Sequence, residues 1–206
     1  MNNQENQSTE MSDARRAIIS AAGSLFAEHG FAATGVQQIA DAAGVNKAML
    51  YYYFRSKAGL YDELISEGMK VISEAVRIME ISKDLPIDER LKIFLTKYLS
   101  LASEQPELAR IVFRETLGLG ESMRKALAAK VRESAKRLAA VLESARLNGE
   151  LKKDVDTSLC AYSIFGMANM YILRLIVNKQ AFEVGELTNH ILDVFMNGSG
   201  GRPGVS

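Results

Sequence analysis

Apolar positions recur at helical spacing along almost the whole chain, and no sustained stretch shows the period-two alternation of a half-buried strand. The pattern predicts an all-α protein. Asp13 caps a first helix that runs to His29, with Ile18, Ala22, Leu25 and Phe26 on its inward stripe, and Gly30 stops it. Thr34 is placed to cap a short second helix over 36–43, Gly44 supplies a turn, and Asn46 caps a third helix over 47–54. Ser56 caps a fourth, which starts at Lys57 and reaches about Met79. Two short capped helices joined by a tight glycine turn are the layout of a helix-turn-helix, here over about 35–54.

Longer helices follow. Pro86 marks a break, and a helix over 88–103 carries Leu91, Phe94, Leu95 and Tyr98 on one face. Pro106 suits the start of the next. Residues 121–148 read as a long amphipathic helix stopped by Gly149, an apolar helix runs from Asp156 or Thr157 to Asn178, and 184–196 form the last. The chain thus divides into a polar arm (1–12), an N-terminal domain (13–73), a larger helical domain (74–197) and a tail (198–206). Arm and tail are expected to be disordered.

Composition narrows the function. With 206 residues and 48% hydrophobic content, the chain can bury one sizeable core or two small ones. Lys and Arg number 25 against 25 Asp and Glu, so no global basic field attracts a nucleic acid, and any such partner must be held by a local patch. The N-terminus "MNNQENQSTEMSD" has no basic region followed by an apolar run, as a signal peptide would, which points to the cytoplasm. The uncharged run "LCAYSIFGMANMYIL" is shorter than the roughly 20 residues a spanning helix needs, and Arg174 follows at once. It reads as a helix buried on nearly all sides by protein, with no membrane partner. The single cysteine, Cys160, excludes an internal disulfide. His29 and His190 lack a nearby Cys or paired acid at metal spacing, and there is no glycine-rich phosphate loop or nucleophile elbow. An enzyme is not the reading, and neither metal nor cofactor is expected.

The stretch "GVNKAMLYYYFRSKAGL" carries the chemistry. On a helix, Leu50 and Phe54 share a face and can pack inward, which turns Tyr51 and Tyr52 elsewhere and leaves Tyr53 at the edge. A phenol offers a flat apolar body and a hydroxyl able to reach a phosphate oxygen. Such a helix fits the major groove with its N-terminal residues at base edges, while Lys47 and Lys57 can contact phosphates. The aromatics alone would serve equally well to cover a junction with the C-terminal domain. The sequence of capped helix, turn, second capped helix, aromatics and "SK" at a further helix start favours DNA.

That constellation, "LFAEHGFAATGVQQIADAAGVNKAMLYYYFRSKAGLYDELI", resembles the N-terminal DNA-binding region of the TetR/AcrR family of transcriptional regulators. The resemblance covers roughly residues 13–73. It implies a homodimer, mostly a repressor, that releases a palindromic double-stranded DNA operator when a small-molecule inducer binds the C-terminal domain. Carried over by position, Thr34 caps helix two near the backbone and Gln37 lies where the family often meets DNA. Asn46, Lys47, Ala48 and Met49 begin the recognition helix, Tyr51 and Tyr52 match positions that touch phosphates or bases, and Lys57 matches a phosphate-contacting lysine. Gly35 and Met49 depart from the family's usual small polar residues. Met49 could meet a thymine methyl and Gln37 an adenine edge. A helical interaction module without DNA preference is the alternative these departures leave open.

In the C-terminal domain the resemblance implies a dimer formed by the last two helices. Gly166 permits close approach on the first of them, and Leu187, Ile191, Val194 and Phe195 form a stripe on the second. Candidate linings of an inducer pocket are Phe94, Tyr98, Phe113, Met123, Tyr162, Met167, Asn169 and Met170, each of which also suits a plain core position. Asn169, within an apolar run, must find a hydrogen-bond partner in protein, water, ligand or the other subunit.

Overall fold

The computed structural model describes the backbone of residues 2–116, 124–178 and 183–197, and the side chains of 13–113, 129–176 and 183–197. Nine helices and no strand occur among the described residues: α1 (Asn2–Ala33), α2 (Val36–Ala42), α3 (Lys47–Phe54), α4 (Lys57–Ile81), α5 (Ile87–Glu104), α6 (Pro106–Thr116), α7 (Arg124–Leu147), α8 (Thr157–Asn178) and α9 (Val184–Asn197). The all-α architecture and most boundaries follow the periodicity. The N-terminal arm does not: α1 starts at Asn2. The arm holds neither glycine nor proline, so nothing interrupts helical hydrogen bonding there. The tail 198–206 lies outside the described residues.

The chain forms two compact units. One comprises residues 1–69 together with 107–122, and the other 70–106 with 123–206. The first is therefore discontinuous, because α6 joins it from the middle of the sequence. A Cβ at Gly68 would overlap Val112, so the glycine is what lets α4 and α6 approach so closely.

In the first unit, Ile18, Ala22 and Phe26 follow one another at four-residue steps and are all buried. They share a core with Ile39 of α2, Leu50 of α3 and Leu60, Leu64 and Ile65 of α4. Phe26 stands edge-on to Tyr61, with ring centroids 5.0 Å apart. At Gly30, with φ 84°, α1 is broken, and a last turn runs on to Ala33. Between α2 and α3, Gly44 takes φ 65°, the left-handed turn conformation that suits glycine.

The second unit packs α7 on α8 and α5 on both α8 and α9. Its core takes Leu91, Phe94, Leu95 and Leu99 from α5, Leu138, Leu142 and Ala145 from α7, and Ala161, Ile164, Ala168 and Ile172 from α8. Two polar contacts staple helix ends. Pro86 brings no side-chain cap to α5, and Glu150 supplies one by accepting from the Ile87 N–H at 2.7 Å. Arg90, buried on α5, donates from Nε and Nη2 to the Met79 carbonyl near the end of α4, at 3.0 and 2.7 Å. Its charge lies against the negative end of that helix.

Candidate functional site

The aromatic run on α3 splits as the helical period requires. Leu50 and Phe54 are buried, Tyr53 is half-buried, and Tyr51 and Tyr52 are 43% and 71% exposed. Asn46 caps the helix, its side chain accepting from the Met49 N–H at 2.9 Å. Lys47 and Ala48 are exposed beside it, Met49 is half-exposed, and the Lys47 ammonium lies 5.9 Å from the Tyr51 ring centroid. Behind the helix, Arg15 lies 5.5 Å from the Phe54 ring centroid and pairs with Glu63 at 2.8 Å. One exposed surface thus carries two phenols, a cation and a helix N-terminus.

Four of the expected DNA-binding residues make hydrogen bonds within the unit. Thr34 is buried and does not cap α2: its hydroxyl donates to the Gly30 carbonyl at 2.8 Å, at the break in α1. The α2 N-cap is Gly35, whose N–H is taken by the Gln38 side chain at 2.7 Å. Gln37 is exposed, and its amide nitrogen donates to Asp41 at 2.7 Å, which leaves the oxygen and a second N–H. Asn46 is occupied as a cap. Lys57 does not extend into solvent: its ammonium donates to the Phe31 and Thr34 carbonyls at 2.8 and 2.9 Å.

In the second unit, Phe94, Tyr98 and Phe165 form an aromatic cluster with centroids 5.4 to 5.7 Å apart. The Tyr98 hydroxyl donates to Asn169 Oδ1 at 2.7 Å, answering what the polar residue in the apolar run is paired with. Burial pushes the Tyr98 phenol well above its ordinary range, so it acts as a neutral donor. Phe165 was not expected in this group, because its place is set by a cross-helix contact that spacing along α8 does not reveal.

Against these two arrangements, two family models match the chain. "Bacterial regulatory proteins, tetR family" covers residues 18–64. "Tetracyclin repressor-like, C-terminal domain" covers residues 84–172. The chain belongs to the TetR family. It is a transcriptional regulator with a helix-turn-helix that binds DNA, and not an enzyme. Similar proteins include the fatty acid metabolism regulator protein of Bacillus subtilis, 26% identical over 88% of this chain and 93% of its own. A transcriptional repressor of Streptomyces coelicolor, SCO4008, is 24% identical over 76% of this chain and 77% of its own. Among solved structures, FadR from Bacillus subtilis in complex with stearoyl-CoA superposes with a TM-score of 0.69. It is 28% identical and covers 89% of this chain and 98% of its own.

Within this TetR-family chain, several expected positions in the C-terminal region move. Tyr162 and Met170 do not line an interior: they are 51% and 64% exposed. With Leu159 and Gly166 they follow a 3-4-4 spacing on one exposed face of α8, so the helix is not buried on nearly all sides within the single chain. By length and composition α8 would pass as a membrane span, as the core helix of a soluble protein does. Leu187 and Ile191, expected at a dimer contact, are buried in their own unit, where α9 packs on α5. Val194 and Phe195 are half-exposed. Phe113 is buried on α6 and belongs to the first unit, whereas Phe94, Tyr98, Tyr162, Met167, Asn169 and Met170 belong to the second. Met167 is half-buried, and Met123 lies outside the described residues. Periodicity finds the apolar stripes of α8 and α9 but does not say which stripe faces its own core.

Proposed function

We propose that this regulator is a homodimeric repressor that binds a palindromic operator with α3 in the major groove and releases it on binding an acyl-coenzyme A thioester. The exposure of Tyr52, on a helix whose Leu50 and Phe54 are fixed in the core, carries the DNA half of this reading. A 71% exposed phenol at Tyr52 and the Lys47 ammonium beside Tyr51 suit the phosphate backbone, and Ala48 and Met49 at the helix start suit base edges. The exposed face of α8, Leu159, Tyr162, Gly166 and Met170, is the surface a second copy would cover, because a contiguous apolar stripe of this kind is rarely left in water. Such a pair of subunits would present two α3 helices to two half-sites. The ligand class rests on likeness to a fatty acid metabolism regulator and to a regulator solved with stearoyl-CoA. The aromatic cluster of Phe94, Tyr98 and Phe165, with the Tyr98–Asn169 hydrogen bond as its polar pair, offers contacts suited to an acyl chain with one hydrogen-bonding carbonyl. The protein would work in the cytoplasm, where a bacterial operator lies.

Selection of bound duplexes from a random pool tests the reading, with Tyr52→Ala as control. Wild type is expected to enrich a palindrome, and the variant to bind it about 10- to 100-fold more weakly, as loss of one good contact implies. Stearoyl-CoA, but not free coenzyme A, should then release the duplex. Enrichment by both proteins alike would overturn the docking, and retention of the duplex with every acyl chain length would overturn the ligand class.

A further inference from the structure

We infer that Arg55, in the turn between α3 and α4, is a further DNA-binding residue, a phosphate contact that the fold keeps at a position suited to glycine. Two residues, Arg55 and Ser56, join the two helices. The Arg55 N–H donates to the Tyr51 carbonyl at 2.9 Å, so the helical path holds up to its Cα. There the chain turns off. Arg55 takes φ 63° and ψ −34°, and the Ser56 N–H closes a three-residue turn on the Phe54 carbonyl at 2.7 Å. This is the rare and strained form of γ-turn, and its ψ falls outside even the small left-handed region open to L-residues. Among the described residues the other positive φ angles, at Gly30, Gly44 and Gly149, all fall on glycine. The connection holds the strain in place, because α4 starts hard against the end of α3. A Cβ at Gly59 would lie 2.3 Å from the Phe54 carbonyl oxygen, and the Gly59 N–H is held by the Ser56 hydroxyl at 2.9 Å.

A strained backbone at a residue other than glycine points to a use for its side chain. The fold itself makes no use of this one. Arg55 is exposed, and its guanidinium has no hydrogen-bond, ion-pair or ring partner among the described residues. Arg15 and Arg16 of α1, by contrast, pair with Glu63 and Asp13. Arg55 follows Tyr51 and Tyr52 by four and three positions and stands at the opposite end of α3 from Lys47. An eight-residue helix is about 12 Å long, close to the width of the major groove, so cations at its two ends suit phosphates on the two walls of the groove. A guanidinium is the group best shaped for such an oxyanion. A cation at a helix C-terminus also suits the helix dipole, a role with a different signature in solution.

The assignment rests on the docking of α3 proposed above. Affinity of the full chain for a random-sequence duplex, measured across a range of salt concentrations, needs no operator. Each phosphate neutralised contributes about 0.9 to the slope of log affinity against log salt. Arg55→Met and Lys47→Met are each expected to lower that slope by about 0.9, and Arg55→Lys to keep it. Denaturation without DNA reads the strain. Arg55→Gly removes strain and cation together, so it should weaken duplex binding as Arg55→Met does while raising the folding equilibrium constant about fivefold. A helix-dipole role predicts otherwise: an unchanged slope in both variants and a lower denaturation midpoint in Arg55→Met. That result would overturn the assignment, as would a midpoint lowered by Arg55→Gly. A slope lowered by Lys47→Met alone would remove Arg55 from the interface and leave the docking of α3 standing. A slope that neither Lys47→Met nor Arg55→Met changes would overturn the docking as well.

Discussion

The two units use their polar side chains differently. In the DNA-reading unit these groups mostly serve backbone nearby in sequence. Asn46 caps Met49 and Ser56 caps Gly59, each three residues on, while Gln38 reaches back three to Gly35 and Thr34 four to Gly30. In the C-terminal unit local bonds such as Arg77 to Glu74 are joined by several between helices far apart in sequence: Tyr98 to Asn169 across 71 residues, Glu150 to Ile87 across 63, Arg137 to Glu80 across 57. Local caps fix short helices one at a time and leave a rigid surface on which Tyr52 and Lys47 can be presented. Long-range side-chain bonds instead tie separate helices by contacts that an entering polar group can replace. The first arrangement suits reading a fixed duplex, and the second suits responding to a ligand.

The comparison breaks most sharply at the core of the reading unit. If its order comes from the shared core and the caps only trim the helix ends, Phe26→Ala should be the most damaging change. Phe26 is fully buried between Phe31 and Tyr61. Its truncation is expected to cost about 3–5 kcal/mol in chemical denaturation, against about 1 kcal/mol for loss of the Asn46 cap. A cost for Phe26→Ala no greater than that of Asn46→Ala would show the caps to be the main support.

A second prediction sharpens the other side. Tyr98→Phe leaves Asn169 Oδ1 without its donor and keeps the ring packing on Phe94 and Phe165. The expected loss is about 1–2 kcal/mol, the cost of one part-buried unmade hydrogen bond, read by denaturant midpoint. Adding Asn169→Leu should return part of it, since neither partner is then stranded. If the pair is a replaceable tie, Tyr98→Phe should alter the concentration of acyl-coenzyme A needed for release while DNA affinity without ligand stays as in wild type. An unchanged ligand response would make the pair a plain core contact.

What was legible in the sequence follows the same division. The α3 boundaries, its Asn46 cap and the inward pair Leu50 and Phe54 were readable because each depends on residues within one or two turns. Thr34 was misjudged as a cap because the break at Gly30 offers its hydroxyl a carbonyl four residues back, a competitor that spacing does not show. The contacts of Lys57 are not visible in the sequence for the same reason at longer range: its carbonyl partners come together only once α1, α2 and α4 are packed. On α8, the apolar stripe was visible, but Tyr162 and Met170 proved to face outward while Ala161, Ile164 and Ala168 face in. Both faces are apolar, and small residues toward the core with large ones outside is a pattern hydropathy cannot order. The joining of α6 to the reading unit had no sequence signal beyond Gly68, whose missing Cβ makes room for Val112.

The smallest expected effect belongs to the bond between Arg137 of α7 and Glu80 of α4. The guanidinium meets the carboxylate through Nε at 2.8 Å and Nη2 at 2.6 Å, and Nη1 donates to Ser73. These hydrogen bonds hold Glu80 below its ordinary value of 4.5. A carboxylate with a depressed pKa stabilises the fold fully above that ordinary value, and the contribution disappears as pH falls through the lowered one. Stability should therefore be level in this respect from neutral pH to about pH 5 and decline below, by an amount that Glu80→Gln removes. The two side chains are 25% and 34% exposed, so solvent screening limits the contribution to roughly 0.5–1 kcal/mol despite the paired geometry. Denaturation of wild type and Glu80→Gln at pH 7 and pH 3.5 would measure it. A difference between the two proteins that persists undiminished at the lower pH would mean that Glu80 acts through packing of its stem and not through its charge, and that this long-range tie is less exchangeable than the Tyr98–Asn169 bond.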